Sequence, residues 1–549
     1  MGTLPIPLFG DELDVGYHAL SLFHSLRDYT GHFLPTYIQS LAEWRTPLLM
    51  YITAPFVGLL GTTAFAVRLP VALLGILNVY QVYLLANLLF PKTVILKLRT
   101  INYELKTGTI AALILALTPW HLHYSRAAFE STLLLTLLLW GVIWYLHSLQ
   151  SFRFPYRLFP IPFILTLYTY STATVFTPLL LLALLIIYRP VKWRPFIFNL
   201  VFFTPFLIPF LYYFFTGAAG NRFQGISIFT DNHLIDQIIT TRTEPWVTNN
   251  LFETFFHNKY LAYSVAFLRN YFSSFSPQFL FLYSDTYFRH SIGNFGALLW
   301  STAPFLLVGL YALFHDFKNP THRFIFAWTL LAPIPAALTQ GGATHATRLF
   351  VLVLPLILIT ALGAHYCFKL LHHRLKVIIL PLFMLATALN FSAYWHNYSA
   401  HYRFLSATYW NYGFDDIFTK LIPYQKSAHK IYINDTYQPA IIAFAFYTAF
   451  PPEIFQKHTD NLKTETDADF FGYQFTENLY FGQIKDGLAI SDLLSKNDLY
   501  LAVQQKEIPG DWNWNQNPPP GIKVLATTND QFGRPLFYLL TRSDNDFSQ

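Results

Sequence analysis

Two adjacent carboxylates, Asp11 and Glu12, follow Gly10 near the start of the chain. A carboxylate held ready beside an acceptor can take the proton of an attacking hydroxyl, which is general-base catalysis. The same pair also suits a solvated helix cap, with Asp11 or Asp14 at an N-terminus. Isolated arginines recur further on. Arg45 lies in Glu43-Trp44-Arg45-Thr46-Pro47-Leu48, and Arg68 in Ala66-Val67-Arg68-Leu69-Pro70, at the end of a long apolar run. A guanidinium there can grip a phosphate with two parallel hydrogen bonds, or snorkel to a membrane interface. In Pro119–Glu130, Arg126 and Glu130 stand four residues apart, a spacing that on one helix also makes an ordinary ion pair. His121 and His123, at i and i+2, do not converge on a helix as metal ligands would. The run Thr339-Gln-Gly-Gly-Ala-Thr-His345-Ala-Thr-Arg348 offers His345 and Arg348 to one polar cavity, with glycines that permit close backbone approach. Arg289-His290 is a weaker candidate of that kind. The sequence contains no P-loop, Rossmann glycine pattern or HExxH, so nucleotide-driven and zincin chemistry have no support. Neither a metal nor a cofactor is expected.

The elements that must position these groups are membrane helices. Only 12% of the 549 residues are charged, against about 25% in a soluble domain, and 54% are hydrophobic. The 55 Phe and 35 Tyr suit lipid-facing and interfacial positions. The net charge of +6 is no nucleic-acid signature once the basic residues are located, and the lone Cys367 excludes an intramolecular disulfide. Apolar stretches able to span recur near 66–90, 108–120, 131–149, 158–171, 174–188, 196–215, 296–314, 324–338, 349–368 and 377–394. Basic residues fill every second loop: Lys92, Lys97, Arg99 and Lys106; Arg153 and Arg157; Arg189, Lys192 and Arg194; Lys318 and Arg323; Lys369, Arg374 and Lys376. By the positive-inside rule those loops are cytoplasmic, and the candidate acids and arginines collect at the outer face.

The expected organisation has three parts. Residues 1–65 form an outer segment carrying the acids and two interfacial helices, 15–29 and 47–60. Residues 66–394 form a transmembrane helical domain of about ten spans with a long outer loop, 216–295. Residues 395–549 form a soluble α/β domain outside the membrane, with strands at Lys430–Asn434, Asp498–Val503, Lys523–Thr527 and Leu536–Leu540. The tag-like stretch Glu477–Gln483 reads as native sequence. The orientation also requires a span ahead of Met1, since about ten residues before the acids cannot cross a bilayer.

The ordered set of Asp11-Glu12, Arg45-Thr-Pro-Leu, Ala-Val-Arg68-Leu-Pro and Ser-Arg126…Glu130 resembles the polytopic GT-C glycosyltransferases. It is most similar to the family-39 group that includes protein O-mannosyltransferases and the lipid A aminoarabinose transferase. The resemblance covers roughly residues 8–400, and the tail resembles the outer domains of bacterial members more loosely. It implies a mostly α fold of GT-C type with a small C-terminal α/β outer domain. It implies Asp11 as the catalytic acid with Glu12 beside it, Glu130 as a second acidic residue, and Arg45 and Arg68 near the donor phosphate. Arg126, His345 and Arg348 join that phosphate set by their place at the same face. The donor would be a polyprenyl-phosphate sugar, transferred with inversion to a hydroxyl of an unidentified protein, lipid or glycan. The enzyme would lie in the plasma membrane, with its site outside and membrane lipid around it. A secondary transporter or lipid flippase is the alternative, but transporters place polar groups at the midplane and usually carry internal repeats.

Overall fold

A computed structural model describes residues 7–41, 43–91, 93–98, 101–151, 153–190, 193–217, 223–244, 251–370, 373–463, 469–508, 510 and 512–545. Lys92, Arg99 and Lys192 of the orientation argument, and residues 1–6, lie outside them. The chain is mostly α and forms two compact units. One, the helical unit, comprises Thr36–Leu49 and Val71–Tyr402; the other, the tail unit, comprises Met1–Pro35, Met50–Pro70 and Arg403–Gln549.

Helices underlie each of the ten apolar stretches. Among the described residues, five segments are long and apolar enough to cross a membrane: Ala64–Leu89, Glu130–Gln150, Trp193–Phe215, Phe350–Leu370 and Ile378–Leu405. The chain is an integral membrane protein. Lipid supplies no hydrophobic force between spans, so their contacts depend on close packing and on hydrogen bonds. Both devices are present in the helical unit. A Cβ on Gly309 of helix Ala303–His315 would lie 1.9 Å from the Ile359 carbonyl oxygen, and one on Gly363 of helix Val353–Leu370 would lie 1.9 Å from that of Phe305. Two helices therefore meet backbone to backbone at glycines. Elsewhere Gln81 donates to the Thr136 carbonyl at 3.0 Å, and the Thr136 hydroxyl donates to Asn78 Oδ1 at 2.8 Å, joining two apolar helices through buried amides. The segment read as one long loop, 216–295, carries helices Asn232–Arg242, Leu251–Phe256 and Lys259–Ser273. With 11, 6 and 15 residues, each is shorter than a membrane span needs.

In the tail unit a six-stranded mixed sheet runs in the order Phe470–Thr476, Leu479–Ile484, Ile431–Asn434, Leu499–Val503, Pro535–Arg542, Ile522–Asn529. All four strands expected from alternating apolar runs are present. Ile431–Asn434 pairs in parallel with both neighbours, and every residue of it and of Leu499–Val503 is buried, as covered parallel strands require. Tyr432, Tyr500, Trp514, Tyr538 and Leu540 fill the core on one face. The tag-like stretch is the turn and second strand of a hairpin, Leu479–Ile484.

Residues 7–35 fall in this same unit. Helix Gly10–Ser25, whose amphipathic part suggested an interfacial helix, buries Leu13, Val15, Tyr17, Ala19 and Leu22. Its close neighbour is helix Ala440–Tyr447: a Cβ on Gly16 would come within 2.6 Å of the Phe446 ring. The Tyr17 hydroxyl donates to the Phe450 carbonyl at 3.0 Å. Protein covers this apolar face, and only the folded chain reveals which covering it takes.

Candidate functional site

Within the tail unit, helix Gly10–Ser25 opens with the candidate acids in its first turn, where backbone N–H groups and the helix dipole favour negative charge. The helix start is fixed from outside: the Gly10 N–H donates to Asn411 Oδ1 at 3.1 Å. Asp11 is half-buried and Glu12 fully buried. Glu12 takes two hydrogen bonds from Arg68, Nε to Oε1 at 2.8 Å and Nη2 to Oε2 at 2.6 Å. Arg68 Nη2 also donates to the Pro7 carbonyl at 2.8 Å, and the guanidinium lies 5.5 Å from the Trp410 ring centre. Arg68, expected to meet a phosphate, is thus engaged by protein, and both side chains are 0% exposed. One turn along, Asp14 accepts a hydrogen bond from the Tyr29 hydroxyl at 2.9 Å, and the His18 ring stacks on Tyr29 at 3.7 Å. These buried polar groups hold the first two turns of the helix in one orientation.

The remaining candidates belong to the helical unit. Arg45 sits on a two-residue antiparallel ribbon, where Ile38 pairs with Arg45, and it contacts Glu43 at 3.1 Å. The ribbon is tied down by Thr46 Oγ1 donating to the Thr169 carbonyl at 2.7 Å. Arg126 and Glu130 do not share a helix. Helix Pro119–Tyr124 ends before Arg126, and Glu130 begins helix Glu130–Gln150. Arg126 Nε donates to the Tyr398 hydroxyl at 3.2 Å, and its guanidinium lies against the rings of Trp395 and Tyr398. His121 and His123 turn to different partners: His121 Nε2 lies 3.5 Å from Ser125 Oγ, and His123 Nε2 lies 2.9 Å from the Arg289 carbonyl oxygen.

The glycine-rich run behaves as its composition suggests. Gly341 adopts a φ of +61°, and a Cβ on Gly342 would come within 1.8 Å of the Ala336 carbonyl oxygen. Arg348 folds back over this turn, donating from Nη1 to Thr339 Oγ1 at 2.6 Å and to the Gln340 carbonyl at 2.9 Å. His345 faces elsewhere. Its ring lies 4.6 Å from that of His290, and His290 Nδ1 is 3.0 Å from Asp285 Oδ2. Burial, and then the Arg348 cation, lowers the His345 imidazole to about 3, so it carries no charge for a phosphate at neutral pH. Burial opposes the Asp285 charge, but the hydrogen bond and charge of His290 outweigh it and hold the carboxyl below its usual range.

No family model matches the chain, and no curated protein matches it in sequence. Among solved structures, the crystal structure of ArnT from Cupriavidus metallidurans bound to undecaprenyl phosphate is similar, with a TM-score of 0.51 at 11% identity over 98% of this chain and 95% of that one. The fold is GT-C. ArnT in the apo state gives a TM-score of 0.41 at 14% identity over the same shares. At these identities the likeness is one of fold, and a fold hosts more than one chemistry. Within this GT-C fold the group that sequence reasoning missed is Asp285. It is one acid in a loop, five residues before a histidine already noted, and nothing local ties it to a histidine 60 residues further on.

Proposed function

We propose that this protein is a membrane glycosyltransferase that moves a sugar from a polyprenyl-phosphate donor to an acceptor hydroxyl at the outer face of the plasma membrane. The carrying observation is the setting of Asp11: a half-buried carboxylate in the first turn of an enclosed helix, beside the fully buried Glu12–Arg68 pair. The GT-C fold supports the reading, as does the lipid phosphate named with the ArnT crystal structure. The alternation of basic loops supports the outward orientation.

In this reading Asp11 takes the proton of the acceptor hydroxyl as its oxygen attacks the anomeric carbon. The bond from that carbon to the phosphate oxygen breaks, its electron pair leaves with the lipid phosphate, and the configuration inverts. Arg45, Arg126 and Arg348 supply positive charge for the leaving phosphate. Glu12 and Arg68 are positioning residues that set the helix on which Asp11 rides, and Glu130 is a second acid on the acceptor or donor side. His345, neutral, would offer that phosphate a hydrogen bond but no charge.

The test is transfer by the purified full-length protein. It is incubated in lipid nanodiscs with a panel of radiolabelled polyprenyl-phosphate sugars and a crude membrane extract, and the labelled product is identified. Label should leave one donor for one acceptor class, and Asp11→Asn should abolish it. Consumption of no donor by well-folded protein would overturn the reading.

A further inference from the structure

Among the described residues, one cluster brings together three side chains with metal-ligand chemistry: Asp285, His290 and His345. One ligand atom from each lies within 4.8 Å of the others. Two ligands on a tetrahedral zinc ion, with bonds of about 2.0–2.2 Å, stand roughly 3.4 Å apart. Any closure needed is therefore at most about 1.4 Å, within reach of side-chain rotation.

The surroundings resemble a prepared site more than a chance meeting. Asp285 is oriented before any ion arrives: Oδ1 accepts from the Tyr287 N–H at 2.9 Å, and Oδ2 from the Ala346 N–H at 2.9 Å. The Ser291 hydroxyl fixes its backbone by donating to the Asp285 carbonyl at 2.6 Å. Such outer partners orient ligands in known metal sites. The Ala346 bond also holds the residue next to His345 against the carboxylate. Among the described residues, His345 Nδ1 is buried with no hydrogen-bond partner, so its lone pair is not committed to another group. Asp285 Oδ2 and His290 Nδ1 are 3.0 Å apart, close to the separation of two ligands on one ion.

We infer that Asp285, His290 and His345 bind one divalent transition-metal ion of the zinc class, with a fourth position open to solvent. Two imidazoles and one carboxylate suit zinc and its neighbours rather than magnesium or calcium, which take oxygen ligands. The ion would clamp the segment around 285–291 to the turn that carries Arg348. The inference does not depend on the transfer reaction, because binding is measured without turnover.

The experiment uses the full-length protein in detergent, stripped with a chelator and titrated with Zn²⁺ alone against a competing chromophore, then with Co²⁺ alone. Wild type should take up one tight equivalent of Zn²⁺, and Co²⁺ should give the intense visible bands of a four-coordinate site. His290→Gln and His345→Gln should each weaken Zn²⁺ binding at least tenfold, because even lost outer-shell partners cost about 10–100-fold. His24→Gln, at an exposed histidine, should bind as wild type does. Absence of a tight equivalent in wild type overturns the inference, as does unchanged affinity in both ligand variants. If those variants fail to fold, the wild-type Co²⁺ spectrum decides: the weak bands of six-coordinate cobalt would overturn it.

Discussion

Glu12 and Arg68 are joined by two hydrogen bonds of 2.6 and 2.8 Å, and neither side chain is exposed. The pair fastens helix Gly10–Ser25 to the first turns of helix Ala64–Leu89. Removing one member leaves the other charge buried and uncompensated, which costs about 3–5 kcal/mol, whereas replacing both with apolar residues of similar volume is often tolerated. Glu12→Ala and Arg68→Ala should each lower the thermal unfolding midpoint in detergent markedly, and the double variant Glu12→Leu/Arg68→Met should lose less than either. Strictly additive losses would show that the two residues are not coupled.

Asp11 is expected to act in chemistry rather than in folding. Asp11→Asn should unfold at the wild-type temperature and still bind the lipid donor, while turnover falls by about 10²–10⁴-fold, the usual worth of a general base. Single-turnover consumption of labelled donor measures this directly. Turnover within a factor of a few of wild type would remove Asp11 from the role.

Arg126 distinguishes donor binding from architecture. It donates to the Tyr398 hydroxyl and its guanidinium lies against the Trp395 and Tyr398 rings, so Arg126→Lys keeps the charge but loses the flat stacking surface. A hydrogen bond to a charged group contributes about 1.5–3 kcal/mol. Arg126→Gln should therefore raise the donor KM by about 10–150-fold, with Arg126→Lys in between. An unchanged KM in Arg126→Gln would confine this arginine to packing.

Gly342 has no room for a methyl group, because the Ala336 carbonyl oxygen stands 1.8 Å from where Cβ would be. The obstacle is backbone, which cannot rotate away, so Gly342→Ala must shift the turn that Arg348 hydrogen-bonds. Overpacking of this kind costs about 1–3 kcal/mol. The expected result is a lowered unfolding midpoint together with weakened donor binding. Gly341→Ala, where nothing lies within 4 Å of the added carbon, should show the smaller penalty of a positive φ alone.

Much of the molecule was written in local sequence. The membrane class follows from composition, since the scarcity of charge leaves too little polar surface for a soluble protein of this length. The apolar helices follow from run length, and the strands of the tail from alternation, because both are properties of neighbouring residues. The carboxylates at residues 11 and 12 were visible as an adjacent pair. What required tertiary structure was the choice of partner. Arg68, 56 positions beyond Glu12, looked like a phosphate ligand until its fork met that carboxylate. Arg126 and Glu130 have helical spacing, yet Arg126 lies past the end of one helix and Glu130 opens the next. His345 stood out beside Arg348 in sequence, but its ring lies against His290, with Asp285 completing the group. Short-range patterns record what each segment buries; which distant side chain satisfies a buried charge is decided only when the segments pack.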